Sequence, residues 1–358
     1  MRPATEAELA GIIEGAEGPL AITGGGTRRL GTARGARLET GGLSGISLYE
    51  PGALTLVVKA GTPLAEVEAT LDAEGQRLPF EAPDLRGLLG RTGQSTIGGV
   101  VATNASGPRR VQAGACRDSL IGVRFVDGTG TVIRNGGRVM KNVTGYDLVK
   151  LVAGSRGALG VLTEVAFKLL PKPETRTSLR IDGLSDAAAV AAMASALTSP
   201  FDVTGAAHWP GRGTFLRIEG FAASVAYRRA ELQRRLAGFG AVDVAVDDPW
   251  PAIRDVAPFH DAAGDVWRLS TVPSEAAALA ARAGADQVLY DWGGGLVWLR
   301  LAEGTDLRAR LGPFQGHATL VRSASALQRF QPEPAPIAAL TKGLRAKFDP
   351  RGLFSVEI

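Results

Sequence analysis

Short apolar runs alternate with helical patterns through the first half of the chain, which indicates a mixed α+β architecture. The run at 54–60 is rich in β-branched residues, and 121–126 and 131–134 flank an Asp-Gly-Thr-Gly turn that predicts a hairpin. The predicted elements are a strand at 54–60, a helix from Pro63 to Gly75 with Thr62 as its N-cap, the hairpin, a helix at 145–152 and a strand at 160–170.

The second half changes character after Pro173. From about Ser178 the pattern gives a βαββαβ order, typical of a ferredoxin-like split unit, and a similar order then recurs. The first unit has strands at 178–182, 202–208, 213–219 and 241–246 with helices at 184–198 and 222–237; the second has strands at 265–270, 286–290, 295–301 and 316–322 with helices at 273–283 and 305–311. Two such units side by side predict one wide antiparallel sheet covered by helices.

A proline-rich stretch, 332–336, precedes a final predicted helix at 337–347. We therefore divide the chain into three parts: 1–172, 173–331 and a C-terminal segment, 332–358.

Three glycine-rich segments carry the candidate chemistry. The first is Thr23-Gly24-Gly25-Gly26-Thr27, the second spans 96–107 and the third spans 154–164. Consecutive glycines allow several backbone N–H groups to converge on one anion, and a pyrophosphate is a natural guest. The first segment alone could equally be an ordinary loop. It matches neither the G-x-G-x-x-G spacing of a Rossmann fold nor the Gly-Lys-Ser/Thr of a P-loop.

Taken together and in this order, the segments resemble the FAD-binding half of the vanillyl-alcohol oxidase, or PCMH-type, flavoproteins. The resemblance implies a two-subdomain FAD-binding domain (1–172), an α+β cap domain with an antiparallel sheet (173–331) and a segment that returns to the FAD domain (332–358). In this chain Arg156 and Ala158 replace the Glu and Thr that are usual in the third segment. The cofactor-binding residues it implies are Thr23, Gly24, Gly25, Gly26, Thr27, Thr96, Gly98, Gly99, Thr103, Asn104, Gly107, Gly160 and, through its main chain, Val161.

The resemblance also bears on how FAD is held. Some members attach FAD through a His just after the first glycine loop, where this chain has Thr27. Cys116, the only cysteine, is expected to be a small buried residue rather than a flavin linkage. We therefore expect non-covalent FAD. A single cysteine cannot hold an iron–sulfur cluster, so any one-electron relay must lie on another chain.

The composition of the chain excludes several other classes of function. The chain of 358 residues is 45% hydrophobic and 21% charged, with a formal net charge of +4 and scattered arginines. Aromatic residues are not interleaved with basic ones, which argues against nucleic-acid binding. No apolar run approaches the length of a membrane span, and Met1–Glu8 does not resemble a signal peptide. We expect a cytoplasmic protein, with attachment to the inner face of the membrane through partners as an alternative.

The catalytic residues are not identified by the sequence. The three histidines, His208, His260 and His317, have no metal-binding spacing, and we expect no metal site. None lies in the Gly-Asp-Gly-Asn-x-His type of segment found in the catalytic D-lactate and glycolate flavin subunits, so each is expected to be structural or exposed. The five tryptophans are expected in the core or on a partner-facing surface.

Within the flavoprotein family, the chain looks most like the FAD-binding E subunits of glycolate oxidases. The most specific local match is Lys141-Asn142-Val143-Thr144-Gly145-Tyr146-Asp147-Leu148, whereas the C-terminal Phe354-Ser355-Val356-Glu357-Ile358 departs from the usual F-N-P-G-R. The resemblance implies a complex with a larger flavin subunit and an iron–sulfur subunit, which oxidises glycolate, with D-lactate as a second candidate, to the 2-oxo acid. Two alternatives remain: a self-sufficient FAD-dependent oxidoreductase of 2-hydroxy acids or alcohols, and a non-catalytic flavoprotein that stabilises an assembly.

Overall fold

Residues 1–171 form three small sheets, in a computed structural model that describes residues 1–137 and 145–355. Strands β1 and β2 pair in parallel, β5 and β9 form a short pair, and the central five-stranded antiparallel sheet has the order β3-β4-β8-β6-β7. The strands are β1 (Leu20–Thr23), β2 (Ala36–Glu39), β3 (Ile46–Glu50), β4 (Thr55–Lys59), β5 (Gln76–Arg77), β6 (Leu120–Val126), β7 (Val132–Gly136), β8 (Val161–Lys168) and β9 (Leu170–Pro171).

Short helices lie around these sheets, and some of them pack against the second half of the chain. They are α1 (Glu6–Glu14), α2 (Leu64–Ala73), α3 (Arg86–Leu89), α4 (Ile97–Ala102), α5 (Arg110–Ala113), α6 (Cys116–Ser119) and α7 (Leu148–Val152). Helix α4 is the middle glycine-rich segment, for which the sequence predicted no element. Thr96 is its N-cap, and the Thr96 hydroxyl accepts a hydrogen bond from Gly99 N at 3.3 Å. A helix rich in small residues can therefore lie directly against the sheet.

Two sequence predictions in this half were wrong in detail. Thr62 does not cap α2: Pro63 is the N-cap residue, and the Thr62 hydroxyl donates to Lys59 O at 2.7 Å and accepts from Gly45 N at 2.9 Å. The Thr62 hydroxyl therefore links the end of β4 to the loop that contains Gly45. The helix predicted at 145–152 begins only at Leu148, because the Asp147 carboxylate caps it by accepting from Lys150 N at 3.1 Å.

The second half forms one eight-stranded sheet with the order β13-β10-β12-β11-β15-β16-β14-β17. The strands are β10 (Thr175–Ile181), β11 (Val203–Trp209), β12 (Gly213–Gly220), β13 (Val242–Val244), β14 (Asp265–Thr271), β15 (Gln287–Asp291), β16 (Leu296–Leu301) and β17 (Gly316–Arg322). The helices are α8 (Asp186–Leu197), α9 (Ala222–Leu236), α10 (Trp250–Arg254), α11 (Ala276–Ala283) and α12 (Leu307–Leu311).

The predicted pair of ferredoxin-like units is confirmed. Each unit has the order 4-1-3-2 across the sheet, and the units join where His208 of β11 pairs with Tyr290 of β15. Alternate residues divide the two faces of this sheet. Trp267 and Leu269 belong to the core beneath the helices, whereas Val266 and Trp298 pack in a second core with Leu88 of the first half. This second face is the one that meets the first half of the chain.

The last helix, α13 (Ala335–Phe348), buries none of its residues. The chain then returns to the first half: Leu20 N donates to Leu353 O at 2.7 Å, and Ser355 N donates to Leu20 O at 3.1 Å. Among the described residues, no helix is long and apolar enough to cross a membrane. Lys141–Thr144 and Val356–Ile358, which belong to two of the motifs discussed above, lie outside the described residues.

Candidate functional site

The glycine-rich segments meet around one cavity in the first half of the chain. Strand β1 leads into the first segment, α4 carries the second, and the turn before β8 carries the third. Ten of the predicted cofactor-binding residues line this cavity: Thr23, Gly24, Gly25, Gly26, Thr27, Thr96, Gly98, Gly99, Thr103 and Gly160. Segments that are far apart in sequence are therefore brought to a single site, as the resemblance implied.

The glycines at this cavity have different reasons to be glycine. A Cβ on Gly25 would collide with the Gln94 carbonyl, and a Cβ on Gly98 would lie 2.7 Å from Ala60 O, so both positions are fixed by close backbone approach within the chain. Gly99 is different: a Cβ there would meet only the Thr96 hydroxyl, at 3.3 Å. The absence of a side chain at Gly99 therefore leaves empty space in the cavity, whereas at Gly25 and Gly98 a neighbouring part of the backbone fills that space.

The first segment offers unused hydrogen-bond donors. Gly26 has a φ of +70°, and the N–H groups of Gly25 and Gly26 donate to no acceptor within the described parts of the chain. Unpaired N–H groups at a lined cavity are costly unless a ligand or water accepts from them. A loop of this kind can hold an anion such as a diphosphate.

Two arginines that the sequence did not single out hold the first segment. Arg29 donates to the Thr23 hydroxyl at 2.9 Å and to Ile22 O. Arg28 is buried; it donates to Pro83 O at 2.6 Å and to Ser95 Oγ at 3.3 Å, and burial lowers the pKa of its guanidinium to about 10. Their positive charges lie beside the donors of the loop, which favours an anionic guest.

Three predicted residues lie elsewhere. Val161 does not line the cavity, since its side chain packs in a small core with Leu20 and Leu38; a main-chain contact with FAD stays a prediction. Asn104 and Gly107 line a second cleft, of about 680 Å³, between the two halves of the chain. Their assignment to the FAD wall also stays a prediction.

The two cavities share a wall. Thr103, Ser155, Arg156 and Phe330 line both, and the Arg156 guanidinium lies over the Phe330 ring, 4.7 Å from its centroid. Arg156 has a φ of +56°, an unusual conformation for a residue other than glycine. A cofactor in the first cavity therefore borders directly on the cleft between the halves.

The floor of this second cleft is one face of the eight-stranded sheet. In β14, Arg268 and Ser270 lie opposite Thr319 and His317 of β17, and Arg268 lies opposite Trp298 of β16. All five of these residues line the cleft. The sequence did not single out Arg268, Ser270 and Thr319, because they look like the polar positions of ordinary strands and periodicity does not say what a polar face meets.

Trp292 lines the cleft between the halves. Its φ is +54°, and the strained turn is held because its N–H donates to Asp291 Oδ1 at 2.7 Å. Its indole N–H donates to Gly107 O at 3.0 Å, which ties the second half of the chain to the first. Asp291 is buried, and this burial raises its pKa to about 7. Of the five tryptophans, Trp292 and Trp298 thus line the cleft, whereas Trp267 lies in the core as expected.

The three histidines have separate environments. His208 is buried with Nδ1 2.9 Å from the Thr214 hydroxyl, and His260 Nε2 lies 2.9 Å from Asp255 O, so both fit the structural role expected. His317 is exposed to the cleft, where partial desolvation and then the charges of Arg268 and Arg110 lower its pKa. Across the described residues, no three His, Cys, Asp or Glu side chains lie close enough together to hold a metal ion.

Comparisons with known proteins agree with this site. A family model described as an FAD binding domain matches residues 1–136. Glycolate oxidase subunit GlcE of Escherichia coli is 36% identical over 341 residues, covering 94% of this chain and 91% of that protein. Glycolate oxidase subunit GlcD of Bacillus subtilis is 37% identical over 126 residues, covering 35% of this chain and 25% of that protein.

A solved structure supports the fold. An alkyldihydroxyacetonephosphate synthase aligns with a TM-score of 0.71 at 17% identity, covering 99% of this chain and 75% of that one. The fold and the site together define a PCMH-type FAD-binding oxidoreductase. Within this class, the chain belongs to the family of glycolate oxidase subunit GlcE.

Proposed function

We propose that this chain is the FAD-binding subunit of a complex that oxidises glycolate, with D-lactate as a second candidate, to the 2-oxo acid. The observation that carries the proposal is the nearly end-to-end similarity to glycolate oxidase subunit GlcE, which includes both the glycine-lined cavity and the second half of the chain. A protein related to GlcE only through its FAD-binding half would align over about half of the chain.

Bound FAD supplies a two-electron acceptor for such an oxidation. The residues of the chain bind the cofactor and shape the cleft beside it. The donors of Gly25 and Gly26, with Arg28 beside them, suit the diphosphate, and the wall shared by Ser155, Arg156 and Phe330 separates this region from the cleft between the halves. The cleft walls, which include Trp292 and Trp298, would limit the access of water to a bound substrate.

Electron transfer beyond FAD requires other chains under this proposal. The only cysteine, Cys116, is buried, and burial raises the pKa of its thiol, so it is neither a cluster ligand nor a reactive thiol. We infer an iron–sulfur subunit and a larger related flavin subunit as partners. A cytoplasmic location, with attachment to the membrane through those partners, is part of the same proposal.

Anaerobic reduction of the flavin tests the proposal. The FAD-loaded chain is mixed with glycolate or D-lactate, alone and after assembly with the larger flavin subunit and the iron–sulfur subunit encoded in the same organism. We expect slow or no bleaching and no dye-linked turnover by the isolated chain, and turnover after assembly. Full turnover by the isolated chain would instead identify a self-sufficient enzyme, and a complex that turns over equally well without this chain's FAD would identify an assembly subunit.

We further predict that FAD is dissociable, because Thr27 stands at the position of the linking His and Cys116 lines neither cavity. Acid precipitation of the holoprotein should release the yellow chromophore into the supernatant. Colour that stays in the washed pellet would contradict the prediction.

A further inference from the structure

Three arginines of the cleft lack an acidic partner. Arg110 comes from α5, Arg156 from the third glycine-rich segment and Arg268 from β14, and all three line the cleft. Within residues 1–137 and 145–355, none of them forms an ion pair with an Asp or Glu; Arg110 donates only to the Ser106 hydroxyl, at 3.3 Å. Half-buried guanidinium groups are normally paired, so these donors are available to a ligand.

Two of these groups converge on one aromatic ring. The Cζ atoms of Arg110 and Arg268 lie 4.6 Å and 5.2 Å from the centroid of the Trp292 ring. Trp292 is itself fixed at both ends, by Asp291 and by Gly107 O. The stacking holds the planar guanidinium groups and leaves their edge N–H groups for hydrogen bonds.

The electrostatics of this cluster are unfavourable without an anion. Burial, then the charges of Arg110 and Arg156, lower the pKa of Arg268 to about 10. Asp291 is the acidic group beside it in the part of the chain that the structure describes; burial raises its pKa to about 7, and it already accepts from Trp292 N. An anion bound by Arg110 and Arg268 would offset the repulsion between their charges and accept charge-assisted hydrogen bonds from their free donors.

We propose that Arg110 and Arg268, held by Trp292, form a binding site for the carboxylate group of a small 2-hydroxy or 2-oxo acid within this chain. The site lies in the cleft that shares its wall with the FAD cavity. The ligand class rests on the proposed function; the anion site itself rests on the arginines alone.

Calorimetric titration of the FAD-loaded full chain with pyruvate tests the site, because pyruvate carries the carboxylate but cannot be oxidised as a hydroxy acid. Neutral methyl pyruvate and inorganic phosphate are titrated in parallel. We expect pyruvate to bind and methyl pyruvate not to bind. Arg110→Gln and Arg268→Gln should each raise the Kd for pyruvate by about 10- to 100-fold, as expected for a charge-assisted hydrogen bond.

Controls separate binding from folding. Arg268→Lys keeps the charge but not the planar fork and should recover part of the affinity. Arg229→Gln, at an exposed position of α9, should leave the Kd unchanged. Flavin content and the melting temperature are measured for every variant, and Arg110→Gln is expected to keep both.

Three results would overturn the proposal: absence of pyruvate binding to the wild-type holoprotein, loss of flavin in parallel with loss of pyruvate binding, or tighter binding of phosphate than of pyruvate. The second would assign the arginines to FAD, and the third to a phosphate ligand. Assembly and turnover with the partner chains are measured separately, so failure of the anion site would leave the subunit proposal standing, and the reverse also holds.

Discussion

The contact between the two halves of the chain contains two groups of arginines with opposite environments. In one, Arg217 pairs with both oxygens of Glu81, at 2.8 and 3.0 Å, while Arg109 and Arg77 pair with Glu219. In the other, Arg110 and Arg268 contact an aromatic ring and, among the described residues, form no ion pair with a carboxylate. Arg109 and Arg110 are adjacent in sequence, yet one is a partner in a buried network and the other faces a cleft.

The difference suggests different roles: the paired arginines stabilise the fold, and the unpaired arginines are available to bind a ligand. Burial alone would raise the pKa of Glu81, but the charge and hydrogen bonds of Arg217, with Arg109, hold it below its usual value. Each arginine of that group pairs with a carboxylate from the other half of the chain, and these ion pairs hold the halves together. The arginines of the second group form no such ion pairs within the part of the chain that the structure describes, and a folded chain keeps unpaired guanidinium groups only where a function needs them or where solvent screens them.

The largest expected effect comes from breaking the paired group. Arg217→Met would leave Glu81 and the buried Glu219 without one of their partners, which should cost about 3–5 kcal/mol of stability. Urea unfolding of the holoprotein measures it, with Arg110→Gln as the matched control from the unpaired group. If the two variants lose equal stability, the distinction between the groups is wrong.

The next largest effect is expected at the glycine-lined cavity, where the backbone rather than side chains forms the wall. Gly99→Ala should leave the apoprotein folded, since only the Thr96 hydroxyl is near and alanine favours a helix, but it should weaken FAD binding because the methyl group enters the cavity. Gly25→Ala should lower both folding and binding, because its Cβ would collide with Gln94.

Flavin fluorescence and thermal melting of the apoprotein give the two quantities for both glycine variants. Gly11→Ala in α1, where no atom lies within 4 Å of the new Cβ, is the matched control: it should raise the melting temperature slightly, because alanine favours a helix, and leave FAD affinity unchanged. Unchanged FAD affinity in Gly99→Ala would show that the cofactor does not approach α4.

A third prediction concerns Asp291, the acidic group that could have paired with Arg268. Because its folded-state pKa is raised to about 7, the carboxyl is neutral and costs nothing at low pH, and stability is lost as pH rises from about 4 through 7. Asp291→Asn keeps an oxygen to accept from Trp292 N and removes that loss. Its stability relative to wild type should increase by about 2–3 kcal/mol between pH 5 and pH 8. A difference that is flat with pH would mean that Asp291 is ionised and paired with Arg268 throughout.

The smallest effect is expected at His317. Its lowered pKa leaves the imidazole neutral at pH 8, so it adds no charge to the cluster. His317→Asn should change the Kd for pyruvate by no more than about threefold at this pH, the range of weak exposed interactions. A loss as large as that of Arg268→Gln would add His317 to the carboxylate site.

The fold was largely predictable because its signals are local. The periodicity of apolar residues gave the βαββαβ order of the second half, and the glycine-rich segments predicted residues that now line one cavity. The errors were also local: Thr62 was expected as a cap, but its hydroxyl serves a loop that is distant in sequence, and α4 was missed because glycine and β-branched residues are poor helix formers that only tertiary packing stabilises here.

What the sequence by itself determined is where the backbone can make a close approach, since a missing side chain is visible in the residue type at Gly24, Gly25, Gly98 and Gly99. Only the structure showed that Gly25 and Gly98 approach the chain itself and that Gly99 leaves space in the cavity. Only the tertiary structure decided which charges are free. Arg109 and Arg110 have the same chemistry and neighbouring positions, and their difference arises because Glu219, from a strand more than a hundred residues away, reaches one of them and not the other. Whether a charge is compensated depends on its distance in space from an opposite charge, and residue type and sequence spacing do not give that distance.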